Sequence, residues 1–226
     1  MRLMLPDDVE QEEIGSMLLE ENERWRDDGV WLVSCRIPDH NLGWGTALER
    51  AGFYRVETLL TYARDIPSDL EAHPADVDIA AESDKATCIE IGRTAFRFDR
   101  FHADESIADS GADALKAAWV RNGLAGRAHS VFVVREGATV CGFNMCMLRD
   151  EIAVIDLIAV APGHERQGYG ATLVAGALAG YAGLATTMRV GTQISNLASL
   201  RLYDRAGFNE IGRQQTYHWI NRSVQP

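Results

Sequence analysis

The sequence predicts a mixed α/β (α+β) fold in which helices flank a central sheet that is mostly antiparallel. Three observations point there. Strand-like and helix-like segments alternate along the 226 residues. Residues 152 to 193 read as strand, glycine-rich turn, helix and strand, which makes one parallel crossover. And one supersecondary unit occurs twice: at an offset of 155 residues, NLGWGTALERAGFYRVETLLTY from Asn41 lies over NLASLRLYDRAGFNEIGRQQTY from Asn196 without a gap, eight of twenty-two positions being identical.

In chain order, the acid-rich start reads as the solvated face of a helix, followed by an extended VWLVSC from Val30. Each copy of the repeat then reads as Asn, a short helix ending at Ala-Gly-Phe, and a strand. Residues 1–66 therefore form an incomplete N-terminal half, 67–75, with Pro67 and Pro74, a linker, and 76–226 the main domain. In the latter, DVDIAA is a strand and Lys85 to Phe96 a helix. A polar loop leads to a second helix over Ala112 to Leu124, with Leu115 and Trp119 one turn apart. SVFVVRE, TVCGFNMCML and IAVIDLIAV follow as strands joined by tight turns. A helix from about Gly168 carries Leu173, Val174, Ala177, Leu178 and Tyr181 as one stripe, and TMRVGT from Thr187 is the next strand.

With 46% apolar residues the chain can bury a substantial core, and its net charge of −11 and pI of about 5.0 oppose attraction to nucleic acid or anionic lipid. The first residues meet Pro6 and two acids too early for a signal peptide, and the uncharged run Ala171 to Met188 is mostly Ala, Gly and Thr, which reads as a packed helix and not a membrane span. A cytoplasmic chain is expected. Cys35, Cys88, Cys141 and Cys146 contain no CxxC and read as reduced thiols; Cys141 and Cys146, five apart on a strand, are expected on opposite faces of the core. His40, His73, His129, His164 and His218 share no metal-ligand spacing with a cysteine or carboxylate cluster, so the sequence implies no metal.

The sharpest chemical signal is IAVAPGHERQGYGATLV. A buried-looking strand ends at Val160, Pro162 and Gly163 turn the chain, and Arg166-Gln167-Gly168-Tyr169-Gly170 opens a helix. Glycines at 168 and 170 let successive N–H groups point the same way, and the helix start adds its partial positive charge, so this turn suits a diphosphate. It is no P-loop, since no GK[ST] follows, and no dinucleotide fingerprint, since the third glycine is missing. Asn196 and Tyr203, seven residues apart, would share a helix face, with Asn196 suited to the N-cap.

These residues resemble the GCN5-related N-acetyltransferase (GNAT) superfamily, whose signature (R/Q)xxGxG/A follows its fourth strand. Here Glu165 stands at the first signature position, IDLIAVAP resembles the fourth strand, and N(x)6Y over Asn196 to Tyr203 resembles the last helix. The resemblance implies acetyl-CoA as co-substrate, bound along Ile158 and Val160, over Arg166, Gln167, Gly168, Gly170, Ala171 and Thr172, and beside Asn196 and Ser199. It also implies Tyr203 as general acid, and Asp156, at a position often acidic in the superfamily, as base or water-positioning group. The likeness is strongest to members acting on dTDP-linked amino-deoxysugars. It extends over the duplicated unit, the Arg100-Phe101-His102 loop and the WxxN helix (Trp119 to Asn122), and implies Arg100 and His102 as contacts to such a small-molecule amine. Leu48 replaces Tyr203 in the first copy, which also lacks a glycine cradle and so is expected to bind no cofactor. Acetylation of a protein or peptide amine, or silent acyl-CoA binding, stay open as alternatives, as does a homodimer.

Overall fold

The computed structural model describes residues 1–5, 11–68 and 76–224. The linker expected at 67–75, and His73 with it, lies almost wholly outside them. The described residues form nine strands, Arg2–Leu3 (β1), Leu32–Pro38 (β2), Tyr54–Asp65 (β3), Val77–Ile79 (β4), Ser130–Glu136 (β5), Thr139–Arg149 (β6), Ile152–Val160 (β7), Thr187–Gln193 (β8) and Asn209–Ile220 (β9). Six α-helices accompany them: Gln11–Asp27 (α1), Leu42–Arg50 (α2), Lys85–Ala95 (α3), Asp109–Asn122 (α4), Tyr169–Gly180 (α5) and Leu197–Arg205 (α6). All nine strands belong to one sheet, in the order β1-β2-β9-β3-β8-β7-β6-β5-β4, antiparallel except for β1 with β2 and β7 with β8. Among the described residues no helix is long and apolar enough to cross a membrane.

The sequence repeat is a structural repeat. Adding 155 to the bounds of β2, α2 and β3 gives those of β8, α6 and β9. Both helices begin on an asparagine whose side chain accepts the N–H three residues on, Asn41 from Trp44 at 3.2 Å and Asn196 from Ser199 at 3.1 Å. Both end on Ala-Gly, with Gly52 at φ +87° and Gly207 at φ +76°, left-handed positions that a side chain resists. The closing bonds match too: Phe53 N–H donates to Leu48 O and Phe208 N–H to Tyr203 O, each at 3.0 Å. The two final strands pair with each other symmetrically. Arg55 lies opposite Tyr217 and Tyr62 opposite Glu210, and since 55 + 155 = 210 and 62 + 155 = 217, these are equivalent pairs about a local two-fold relation. Residues 1–66 therefore contribute β3 to the middle of the sheet, between β9 and β8.

The core forms in patches on either side of this sheet. Leu173, Val174, Ala177 and Leu178 of α5, with Tyr181 just past its end, share one core cluster with Ile155, Met188 and Val190, as the helical stripe predicts. Cys88 and Ile91 of α3 and Val120 of α4 cover Phe143, Met145, Leu157 and Ala159 on the opposite face. The repeat's first copy has its own patch, with Ile14, Leu18 and Trp25 of α1 and Leu48 of α2 against Val33, Cys35, Ile37 and Trp219. Cys141 and Cys146 depart from the expected opposite faces. A bulge where β5 pairs β6 skips Cys141, so that Val134 opposes Gly142 and Arg135 opposes Val140. Both thiols consequently lie on the α5 side, Cys141 beside Tyr169 and Cys146 in the α5 core.

Candidate active site

A second bulge shapes the site. Where β6 pairs β7, Met145 opposes Leu157 and Cys146 opposes Ile155, so Asp156 is the extra residue. Ile155 consequently packs toward α5, whereas Leu157 packs toward α3 and α4. The parallel pairing of β7 with β8 ends at the same level. Its last pair is Ile155 with Val190; beyond it β8 continues only along β3, and β7 only along β6. The two strands part, and the backbone of Leu157 to Val160 on that side lacks a strand partner. Ile158 and Val160, both half-buried, lie on this rim.

The glycine turn sits where β7 ends. Gly163 N–H donates to the Glu165 carboxylate at 2.8 Å, so the glutamate at the signature's first position caps its own turn. Arg166 has φ +62° and Gly168 φ +92°; Arg166 and Gln167 are exposed. A Cβ on Gly168 would meet nothing within 4 Å, which means open space above the turn, while one on Gly170 would stand 3.4 Å from Leu202 Cδ2 of α6. The bond from Thr172 N–H to Gly168 O, at 3.1 Å, is the first of α5. The N–H groups of Tyr169, Gly170 and Ala171 thus have no acceptor within the helix, and at such a helix start an anion is favoured. The residues fit a diphosphate: two glycines, free N–H groups, a helix start and an exposed Arg166. Asn196 and Ser199, engaged in their cap bond, begin the helix that crosses beside Gly170.

Tyr203 is 2% exposed, in a nest with Tyr62 (centroids 6.2 Å apart) and Phe208 (5.6 Å). Burial, and then the nearby Cys146 thiol, push its hydroxyl well above the ordinary tyrosine value. It therefore holds its proton firmly. Asp156 is tied to Arg127, Nη2 to Oδ2 3.1 Å. Its carboxylate, unpaired in the sequence pattern, thus has a cationic partner from the turn that ends α4.

Arg127 begins a chain of polar groups on the α3–α4 face that the sequence did not reveal. Its guanidinium lies 5.4 Å from the Trp119 ring, and Lys116 Nζ lies 5.0 Å from that ring, 4.9 Å from Phe96 and 3.7 Å from Asp99 Oδ2. Lys116 is 4% exposed, and desolvation lowers its pKa from the ordinary lysine value. Further along, Arg36 Nη2 meets Glu57 Oε1 at 3.2 Å, and Thr216 Oγ1 donates to the same carboxylate at 3.1 Å. Between them sits Arg100, its pKa lowered to about 10 by burial and by Arg36. Among the described residues, Arg100 Nε, Trp119 Nε1 and Glu57 Oε2 are buried without hydrogen-bond partners, a rare condition in a finished interior.

His102, expected from the resemblance to contact the substrate, is held by two carboxylates. Its side chain is buried, with Nδ1 2.6 Å from Asp99 Oδ2 and Nε2 3.1 Å from Asp113 Oδ1, so both ring nitrogens are committed. It fixes the 96–108 loop instead. Asp104 anchors the same loop, accepting from Tyr54 Oη at 2.8 Å and lying 2.7 Å from His218 Nδ1. Glu136 and Cys141, on either side of the β5–β6 turn, and His164, in the turn before α5, bring their ligand atoms within 4.8 Å of one another.

The model of the acetyltransferase (GNAT) family matches residues 94–208, half of the chain and the whole segment from the end of α3 to the turn after α6. The chain belongs to the GNAT family. Two relatives are each 28% identical to this GNAT acyltransferase. The spore coat polysaccharide biosynthesis protein SpsD of Bacillus subtilis aligns over 203 residues, 88% of this chain and 70% of its own. The dTDP-fucosamine acetyltransferase of Escherichia coli O6:H1 aligns over 191 residues, 84% and 81%. A GCN5-related N-acetyltransferase from Sphaerobacter thermophilus shares the fold with a TM-score of 0.62 at 15% identity, over 94% of this chain and 71% of its own. The protein is thus an N-acetyltransferase of a family that uses acetyl-CoA.

Proposed function

We propose that this acetyltransferase transfers the acetyl group of acetyl-CoA to the amino group of a nucleotide-linked amino-deoxysugar, by direct attack of the amine on the thioester. The observation that carries the reading is the parting of β7 and β8 beyond Ile155 and Val190, beside the glycine turn of α5. That gap joins a diphosphate-binding turn to the polar α3–α4 face, so donor and acceptor have separate approaches to one point. Gly168, Gly170, Ala171 and Thr172, with Arg166 and Gln167, take the diphosphate, and the pantetheine arm runs along Ile158 and Val160 toward Asn196 and Ser199.

An alkylammonium must lose its proton before it attacks, at a cost of about 4 to 5 kcal/mol near neutral pH, and Asp156 is the acceptor for it. Those backbone N–H groups of Leu157 to Val160 that face away from β6, on the side where β8 has parted, stand ready for the charge that develops on the thioester oxygen. Tyr203 delivers a proton to the departing thiolate. On the acceptor side, Arg100, with its buried unpartnered Nε, meets the anionic diphosphate of the sugar nucleotide. Residues 1–66 act as a cofactorless half that completes this face with Arg36 and Glu57. The names of two relatives, one a dTDP-fucosamine acetyltransferase and the other a coat-polysaccharide protein, support the sugar class.

The test is thiol release from acetyl-CoA with purified protein and a panel of dTDP- and UDP-linked amino sugars, free amino sugars and peptide amines. Turnover on a nucleotide-linked amino sugar at least about tenfold above the others is expected. Preference for a peptide amine would overturn the sugar reading.

A further inference from the structure

We propose that Glu136, Cys141 and His164 form a zinc-binding site at the base of the glycine turn. Glu136 ends β5, Cys141 is the bulged residue of β6, and His164 lies in the turn leading from β7 to α5. The β5–β6 hairpin and the turn before α5 therefore converge. Their ligand atoms lie within 4.8 Å of one another, and tetrahedral zinc, with bonds of about 2.0 to 2.3 Å, needs ligands roughly 3.3 to 3.8 Å apart. The pair His164 Nδ1 and Glu136 Oε2 is already at 3.5 Å.

Two features separate this group from a casual surface pair. Nδ1 of His164 is buried yet makes no hydrogen bond among the described residues, even to the glutamate beside it, so a lone pair or proton is left facing the cluster unsatisfied. Cys141 is fully buried, and its Sγ has only a long contact with Thr139 O at 3.5 Å and a bond with the Tyr169 hydroxyl. Glu136, whose side chain is largely exposed, has room to close the remaining distance. A thiolate, an imidazole and one carboxylate suit zinc, whereas calcium or magnesium would ask for oxygen ligands throughout. Water or the Tyr169 hydroxyl supplies the fourth position. The ion's +2 charge balances thiolate and carboxylate, so the filled site is neutral. A zinc ion there would clamp the β5–β6 turn to the segment that opens α5, and so brace the approach to the diphosphate turn.

The proposal concerns metal affinity alone and stands apart from the choice of acceptor. Full-length protein stripped with a chelator should take up one Zn2+ per chain in a calorimetric titration. With Co2+ it should show a thiolate-to-metal charge-transfer band and tetrahedral visible bands. Cys141→Ser should abolish the charge-transfer band. His164→Ala and Glu136→Gln, changes near the surface that keep the fold, should each weaken Zn2+ binding by at least about tenfold, since even outer-shell partners are worth about 10- to 100-fold. Circular dichroism of each variant checks its fold, and should Cys141→Ser unfold, the other two variants decide. No uptake at micromolar Zn2+, or uptake unchanged in both His164→Ala and Glu136→Gln, would overturn the site. A charge-transfer band that persists in Cys141→Ser would place the metal on another cysteine and overturn it equally.

Discussion

Asp156 and Arg127 are joined at 3.1 Å, an ion pair that ties the bulge of β7 to the turn ending α4. The bulge is what turns this carboxylate out of the alternating pattern, and the arginine gives it a hydrogen-bonded partner beside aliphatic neighbours. Asp156→Asn preserves the shape but removes the proposed base. Turnover on the amine is expected to fall by roughly 10²-fold or more, with acetyl-CoA affinity within about twofold. Arg127→Gln leaves the carboxylate in place and is expected to keep turnover within about tenfold. Steady-state kinetics on both variants decides; equal losses would show that the pair, and not the base, is what the reaction needs.

Gly168 and Gly170 serve the cradle for different reasons. At Gly168 the backbone has φ +92° with open space where a Cβ would stand, so Gly168→Val strains the turn by about 1 to 3 kcal/mol and fills the space a diphosphate needs. At Gly170 the neighbour is Leu202 Cδ2 at 3.4 Å, so Gly170→Val also pushes on α6. Calorimetry should show acetyl-CoA binding weakened at least about tenfold in both, with the melting temperature falling further for Gly170→Val. Unchanged affinity in both would remove the cradle.

The first copy of the repeat shares helix caps, strand bounds and register with the second, yet Leu48 stands where the second has Tyr203. Its β1 pairs β2 in parallel over only two residues, and the sequence that follows, MLPDDVEQEE, offers acids in place of glycines. An acidic segment repels a diphosphate. One acetyl-CoA per chain is therefore expected in a binding titration, and a stoichiometry of two would contradict it.

Much of this architecture was legible because local chemistry dictates it. The Asn-to-Ala-Gly-Phe unit specifies cap, helix length and exit twice over, and the paired glycines mark their turn without tertiary help. What stayed hidden depends on contacts between distant segments. Leu115 and Trp119 lie one turn apart on α4, yet Leu115 is 40% exposed while Lys116 is buried, because Asp99, Phe96 and Trp119 together offer an ammonium a favourable environment that no local pattern reveals. Nothing local reveals Asp113, eleven residues on, as the second partner of His102. The bulges at Cys141 and Asp156 each shift the alternation by one residue, which a period of two cannot anticipate.

Asp84 and Arg135 hold β5 to the segment before α3 through two bonds, Nη1 to Oδ1 at 2.8 Å and Nη2 to Oδ2 at 2.6 Å. The arginine's hydrogen bonds pull the Asp84 pKa below its ordinary 3.8 despite burial. A carboxyl with a depressed folded value stabilises the fold fully above the unfolded value, and that stability is lost as pH falls through 3.8 toward the folded value. Asp84→Asn, which leaves Arg135 with a neutral partner, should destabilise the protein by about 2 to 4 kcal/mol at pH 7. The difference from wild type should shrink below about pH 4. Urea melts across that range provide the measurement, and a gap that is constant with pH would contradict it.

Tyr203 makes the strongest demand on the proposed mechanism, because burial that favours its neutral form also makes it a reluctant acid. With ordinary values of about 8.5 for a thiol and 10 for a phenol, protonating the thiolate is already uphill by roughly 2 kcal/mol, and burial of the phenol adds to that. The same dry surroundings act on the leaving sulfur, since a thiolate released beside Tyr62, Phe208 and Tyr203 is as poorly solvated as a phenolate would be. The two shifts oppose each other, and the transfer stays within reach of a turning enzyme. Tyr203→Phe keeps the ring in its nest and removes only the hydroxyl, so acetyl-CoA affinity and melting temperature should stay near wild type. Turnover should fall by about 10²-fold or more under conditions where chemistry limits the rate. Tyr203→Leu, which copies Leu48 of the first unit, should lose activity to the same extent but also loosen the packing against Tyr62 and Phe208, lowering the melting temperature. Wild-type turnover in Tyr203→Phe would leave water to deliver the proton and reduce Tyr203 to the core residue that its equivalent in the first unit already is.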